Sequence, residues 1–183
     1  FSSAPDYETK TSFTSLVTAT DGLNSSTQDI TIAVNNLNDN SPVLTSVKDF
    51  TIDENTSAVG TISGSDADGD ELAFSINGTD ADSLSIDSST GVLSFNEITD
   101  YETKTSYSLN LIINDGVNSV TNAATISINN LNDNSPIFSS AETFSMAENE
   151  SSIGTASATD ADTGSSVSSV SYTHLTLPTT GVV

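Results

Sequence analysis

A five-residue phrase, Asp6-Tyr7-Glu8-Thr9-Lys10, returns intact as Asp100-Tyr101-Glu102-Thr103-Lys104, 94 residues further along the chain. The run Asn36-Leu37-Asn38-Asp39-Asn40-Ser41-Pro42 returns at Asn130 to Pro136 with the same shift. Glu54-Asn55 recurs as Glu148-Asn149, and Asp66-Ala67-Asp68 as Asp160-Ala161-Asp162. Four motifs holding one spacing without insertion define a repeat, and its period limits what the chain can fold into. Ninety-four residues is too long for one turn of a solenoid and suits one small β-sandwich.

The text between the motifs is written for strands. Tyr107, Leu109, Leu111 and Ile113 fall at every second position over residues 105–114, and Ile126 and Ile128 continue the pattern. Val59 to Ile62, Leu72 to Ile76 and Val92 to Phe95 supply further short strands between Gly, Asp, Asn and Ser clusters. No segment sustains a 3.6-residue period, so helix is expected to be almost nil. The reading is all-β: tandem immunoglobulin-like, seven-stranded Greek-key β-sandwiches arranged end to end. Pro42 and Pro136 are expected to open the first strand of a new repeat, where a missing N–H does no harm. Residues 1–42 are then the last part of one repeat, 43–136 a complete repeat, and 137–172 the start of a third.

Charge removes several function classes. Three Lys plus Arg against 25 Asp plus Glu give a net charge of −22. Such a chain has nothing with which to displace counterions from nucleic acid, and it is repelled by anionic membrane surfaces. It has no Cys and a single His, so thiolate or imidazole metal sites and cysteine nucleophiles are out. No apolar stretch is long enough to insert in a membrane. High charge with modest hydrophobicity is also the mark of disorder, but these acids stand in tight, repeated clusters beside patterned apolar residues. Phe1 is not an initiator Met, and the chain reads as an excerpt from something longer.

Clustered carboxylates without bases need a cation. Two of them about 4 Å apart repel by roughly 4 kcal/mol at an effective dielectric of 20. Hard oxygen donors alone select Ca²⁺ over zinc or copper, and Mg²⁺ prefers to keep its water.

Taken together, the motifs resemble the cadherin repeat family over nearly all of the chain up to about residue 172. The family's DxNDNxP linker is matched at 36–42 and 130–136, its DRE position at 6–8 and 100–102, and its early Glu at Glu54 and Glu148. Its DxD is Asp66/Asp68 and Asp160/Asp162, and its late Asp is Asp21 and Asp115. The resemblance implies Ca²⁺ ions shared between successive repeats. For the first junction it implies Asp6, Glu8, Asn38, Asp39, Asn40, Asp66, Asp68 and Asp115 as ligands. For the second it implies Glu54, Asp100, Glu102, Asn132, Asp133, Asn134, Asp160 and Asp162. Asn36 and Asn130 replace the family's first linker Asp, which lowers the ion count or the affinity expected at each junction. Affinity in the extracellular-module range, roughly 10⁻⁴ to 10⁻³ M, is the expectation.

Competing readings are weaker. Asp66-Ala67-Asp68-Gly69-Asp70 opens like an EF-hand, but Glu71 stands at position 6 and Asn77 at position 12. Paired glycosidase carboxylates would want aromatic sugar platforms, and these acids lie in linker motifs instead. No enzyme is expected. Asp70, Glu71, Asp80, Asp82 and Asp87 read as solvated surface. Four Asn-x-Ser/Thr sequons, at Asn24, Asn55, Asn77 and Asn149, decide nothing in so Ser/Thr-rich a chain. The stretch 171–180, with His174, breaks the repeat and resembles translated adaptor read-through, so 173–183 is set aside as a non-native-looking tail.

The functional expectation is an extracellular or cell-surface array of Ca²⁺-rigidified repeats serving as a stalk or adhesion module. Its partners would be calcium ions and other cell-surface proteins or glycans. The absence of Cys and the Asp-Ala-Asp-Gly-Asp text resemble cadherin-like repeats of large microbial surface proteins. Accessory spacer repeats in a secreted multidomain enzyme are the alternative.

Overall fold

The computed structural model describes residues 1–169; the tail at 173–183 and His174 lie outside the described residues. Strands make up nearly all of the regular structure, and the helical content among the described residues is one 3₁₀ turn, Ala81–Ser83. Residues 1–42 contribute a single antiparallel hairpin, β1 (Ser12–Thr20) with β2 (Ser25–Ala33).

The next stretch builds a sandwich. Its strands are β3 (Val43–Leu44), β4 (Asp49–Asp53), β5 (Ala58–Thr61), β6 (Gly64–Ser65) and β7 (Ala73–Asn77), followed by β8 (Leu84–Ile86), β9 (Val92–Phe95), β10 (Ser106–Asn114) and β11 (Ser119–Asn129). One sheet runs β4-β11-β10-β7 and the facing one β5-β9-β8. These two sheets hold the seven strands expected of an immunoglobulin-like sandwich, while β3 and β6 form a short extra pair at the edge. The first strand follows Pro42 directly, so the proline sits just outside the ladder, where its missing N–H costs nothing.

Alternation in sequence becomes alternation in burial. Along β10, Leu109, Leu111 and Ile113 are buried while Ser108 is exposed; along β11, Ala124, Ile126 and Ile128 are buried between exposed neighbours. Ile62, Leu93 and Phe95 answer them from the other side of the core. Phe95 and Tyr107 meet edge to face with ring centroids 4.6 Å apart. β4 pairs in parallel with β11, from Asp49 against Thr125 to Asp53 against Asn129, and this pairing carries the chain to Glu54 at the end of the sandwich. Gly91 closes the β8–β9 turn at φ +70, and a Cβ there would lie 2.1 Å from the Ile62 carbonyl oxygen.

The third segment repeats the start of the second. β12 (Ile137–Phe138) pairs with β13 (Ala158–Thr159) as β3 pairs with β6, each residue displaced by 94.

Candidate metal centres

Each linker is tied to the repeat that follows it by the Asp-x-Asp loop. In the first, Asp68 accepts hydrogen bonds at Oδ2 from the backbone N–H groups of Asp39 (3.0 Å) and Asn40 (2.8 Å), and at Oδ1 from Asn40 Nδ2 (2.9 Å). In the second, Asp162 accepts from the Asn134 N–H and Nδ2, both at 2.9 Å. Both loops are tightened alike: the Asp68 N–H donates to Asp66 Oδ1 (2.8 Å), and the Asp162 N–H to Asp160 Oδ1 (2.9 Å).

The β10–β11 turn closes on the first linker from the side. Asp115, 6% exposed, accepts at Oδ1 from the N–H groups of Val117 (2.8 Å) and Asn118 (2.5 Å), with Gly116 at φ +98 permitting the turn. Asn38 Nδ2 donates to the Asp115 carbonyl (3.0 Å), and Asn118 Nδ2 donates to the Asn40 carbonyl (2.9 Å). Asn118 was not among the residues that the motifs single out. Its signal was available, because Asp115-Gly116-Val117-Asn118 copies Asp21-Gly22-Leu23-Asn24.

Glu54, 3% exposed, ties the second linker to the Asp100 turn that precedes it. Oε2 accepts from the Tyr101 N–H and Oε1 from the Leu131 N–H, each at 2.7 Å. Beside it, Asn55 holds a left-handed backbone (φ +64), as Asn149 does at φ +70, and its Nδ2 donates to Asp133 Oδ2. Asp6 and Asp100 fold back on their own turns, accepting from Thr9 and Thr103 hydroxyls at 2.9 and 2.7 Å.

Four groups of carboxylates result, each with oxygens within 4.8 Å of one another. Glu8, Asp39 and Asp68 gather at the first linker; Glu102, Asp133 and Asp162, displaced by 94 residues, gather at the second. Asp66, Asp68 and Asp70 form a further group, and Glu54, Asp100 and Glu102 another. Asp68 and Glu102 thus each belong to two groups. Asp6, Asp115 and Asp160 lie beside these groups without joining them, Asn40 and Asn134 bond to their members, and Asn132 is exposed. Asp70, read from sequence as solvated surface, is drawn into a cluster instead. Asp80 is not free surface either: it accepts from Lys104 Nζ (2.5 Å) and the Ser108 N–H (2.7 Å).

The electrostatics are those of a crowded acidic site. Desolvation pushes the Glu102 carboxyl above its ordinary range, and the charges of Glu54 and Asp162 push it further. At Glu8 its own N–H favours ionisation, but desolvation and the carboxylates of Asp6 and Asp68 prevail and raise it. Asp70 rises through desolvation and the charges of Asp66, Asp68 and Asp115. Asp162 is held low by the Asn134 amide; at Asp68 and Asp115 burial pulls upward, and the donated N–H groups outweigh it. Oδ2 of Asp66 and of Asp70 are buried with no hydrogen-bond partner. An all-oxygen donor set containing buried orphan oxygens fits Ca²⁺, which needs six to eight such ligands.

A seven-stranded two-sheet sandwich, with carboxylates collected at the linkers on either side of it, is a fold of the cadherin-repeat type. The comparisons agree. Over 172 residues the chain is 34% identical to Protocadherin Fat 4 of Mus musculus and, separately, of Homo sapiens, covering 87% of this chain. It spans about 4% of the length of those curated relatives. No family model matches. Among solved structures, repeats EC3-6 of protocadherin gammaB7 superpose with a TM-score of 0.74 at 23% identity, covering 87% of this chain and 46% of that one. Mouse cadherin-23 EC22-24 gives 0.65 at 24%, covering 88% and 57%. The chain thus shares the fold of cadherin extracellular repeats.

Proposed function

We propose that this chain is a length of calcium-stiffened stalk, divided into repeats at 42/43 and 136/137, within a cell-surface adhesion protein. The observation that supports it most directly is the equivalence of Glu8/Asp39/Asp68 and Glu102/Asp133/Asp162. Each trio takes one acid from before a linker, one from the linker and one from after it. A cation bound there ties two repeats together.

The residues that would hold Ca²⁺ are the sixteen named for the two junctions. The ion would supply positive charge where these carboxylates repel one another, and no redox or Lewis-acid chemistry is asked of it. This chain's own residues do the rest. Asp68 and Asp162 fix each linker's backbone, Glu54 fastens Tyr101 to Leu131, and the Asp115 turn clamps Asn38. Without the ion, repulsion favours swivelling at the linkers; with it, each repeat becomes a rigid spacer of roughly 35–45 Å. Cation binding then also stabilises the fold, because the clusters cannot form cheaply alone. Partners of the array are other cell-surface proteins or glycans. Similarity to protocadherin repeats favours this role over accessory spacers in a secreted enzyme.

Calcium titration of the chelator-treated chain, followed by heat flow and thermal unfolding with Mg²⁺ as control, tests the reading. Saturable binding with a large rise in melting temperature is expected. No binding up to about 10 mM, beyond the range of extracellular modules, would overturn it.

A further inference from the structure

The cadherin-type motifs assign Asp66 and Asp68 but give no role to Asp70. We infer that Asp70 is an additional calcium ligand, completing with Asp66 and Asp68 a site on the complete repeat that the third repeat's loop does not reproduce. This rests on the proposal that the junctions bind calcium.

The local chain accounts for the placement. Residues 66, 68 and 70 alternate through a loop, and Gly69 at φ +80 turns the backbone so that Asp70 comes back onto the side of the other two. Oxygens of all three lie within 4.8 Å. Proximity alone would not make a site. The second observation is the state of the oxygens: Asp66 Oδ1 is used by the Asp68 N–H, whereas Asp66 Oδ2 and Asp70 Oδ2 are both buried and unpartnered. Buried acceptors are normally satisfied, and two unsatisfied anionic ones within one cluster are costly. A hard cation coordinated by both removes the conflict.

The third repeat's loop differs where it matters. Thr163 replaces Gly69 and Gly164 replaces Asp70, so the left-handed residue moves one place along, to Gly164 at φ +88. The linker amide follows: Asn36 Nδ2 donates to the Asp68 carbonyl (2.7 Å), while Asn130 Nδ2 donates to that of Thr163 (3.0 Å). Asp70 also adds a carboxylate at the junction whose linker has Asn36 in place of the family's Asp.

The test compares calcium isotherms of the full chain, Asp70→Asn and Asp82→Asn, the last removing the same charge from an exposed position outside the cluster. Asp70→Asn is expected to lose one ion from the stoichiometry or to weaken one site by about tenfold, since affinity follows ligand charge. Asp82→Asn is expected to match the parent. In chelator, Asp70→Asn is expected to melt no lower than the parent, because it relieves repulsion. Superimposable isotherms for Asp70→Asn and a calcium-binding parent would overturn the assignment while leaving the junction reading intact. A variant melting lower in chelator would also overturn it, by making Asp70 a structural acceptor. A parent that binds no calcium would remove the junction reading and this one together.

Discussion

Hairpins β1–β2 and β10–β11 occupy equivalent places in successive repeats, and each aligns nine residue pairs in the same register. Their turns are copies too: Asp21 Oδ1 accepts from the N–H groups of Leu23 and Asn24 as Asp115 Oδ1 does from Val117 and Asn118. Burial separates them. Ile126 and Leu111 are 0% and 1% exposed, whereas their counterparts Ile32 and Val17 are 42% and 46% exposed. The hairpin is therefore a local object, specified by alternation and an Asp-Gly turn. The core is not: it exists only where β5, β9 and β8 face the hairpin.

The largest effect should come from testing that difference directly. Ile126→Ala is expected to cost about 2–5 kcal/mol in urea unfolding, as for other buried truncations, whereas Ile32→Ala should stay within about 0.5 kcal/mol. Equal losses would mean that β1–β2 has a core of its own. Glycines sharpen the same contrast. Gly91→Ala must accept a left-handed backbone, about 1–3 kcal/mol, and also push the Ile62 carbonyl aside, for a comparable further loss. Gly22→Ala, at φ +93 with open space around it, carries the backbone cost alone. Melting temperatures of the two variants check it.

The third comparison uses the early glutamates. Glu54→Gln replaces one acceptor oxygen by a donor facing a backbone N–H, and a loss of about 1–3 kcal/mol in thermal unfolding is expected. Glu148→Gln, at the equivalent but exposed position, should change stability by less than about 0.5 kcal/mol. The smallest effect is at Asp80. Lys104, with the Ser108 N–H, holds its carboxyl below the ordinary aspartate range. A lowered folded-state pKa stabilises above the unfolded value and is lost as pH falls through the folded one. Asp80→Asn is thus expected to cost about 1 kcal/mol at neutral pH, the Lys104 end being partly solvated. In acid unfolding curves that difference should vanish below the aspartate range; persistence there would mean that the cost is steric.

Much of this was legible beforehand for identifiable reasons. Leu109, Leu111, Ile113, Ile126 and Ile128 announce their strands because a half-buried strand must alternate, and the seven strands of the two main sheets match that reading. The short β3–β6 pair was not foreseen, since two-residue strands carry no period. Among the acids, the repeat singled out Glu8, Asp39 and Asp68 together with their copies. It passed over Asp70, because the third repeat has Gly164 there, and Asp80, because His174 stands one period later. Asn55, though part of a repeated motif, and Asn118 have no role in the sequence reading, because attention to charge misses the amides that hold charges in place.

The amino-acid sequence by itself determined the period, the strand-forming text and the all-oxygen character of the acidic motifs, since these depend only on which residues occur at which spacing. Tertiary structure alone decided which carboxylates meet. Glu8 lies 60 positions from Asp68, and Glu54 lies 77 from Leu131. Their meeting depends on how sheets, turns and linkers are stacked, and burial then turns a count of negative charges into oxygens that need a partner.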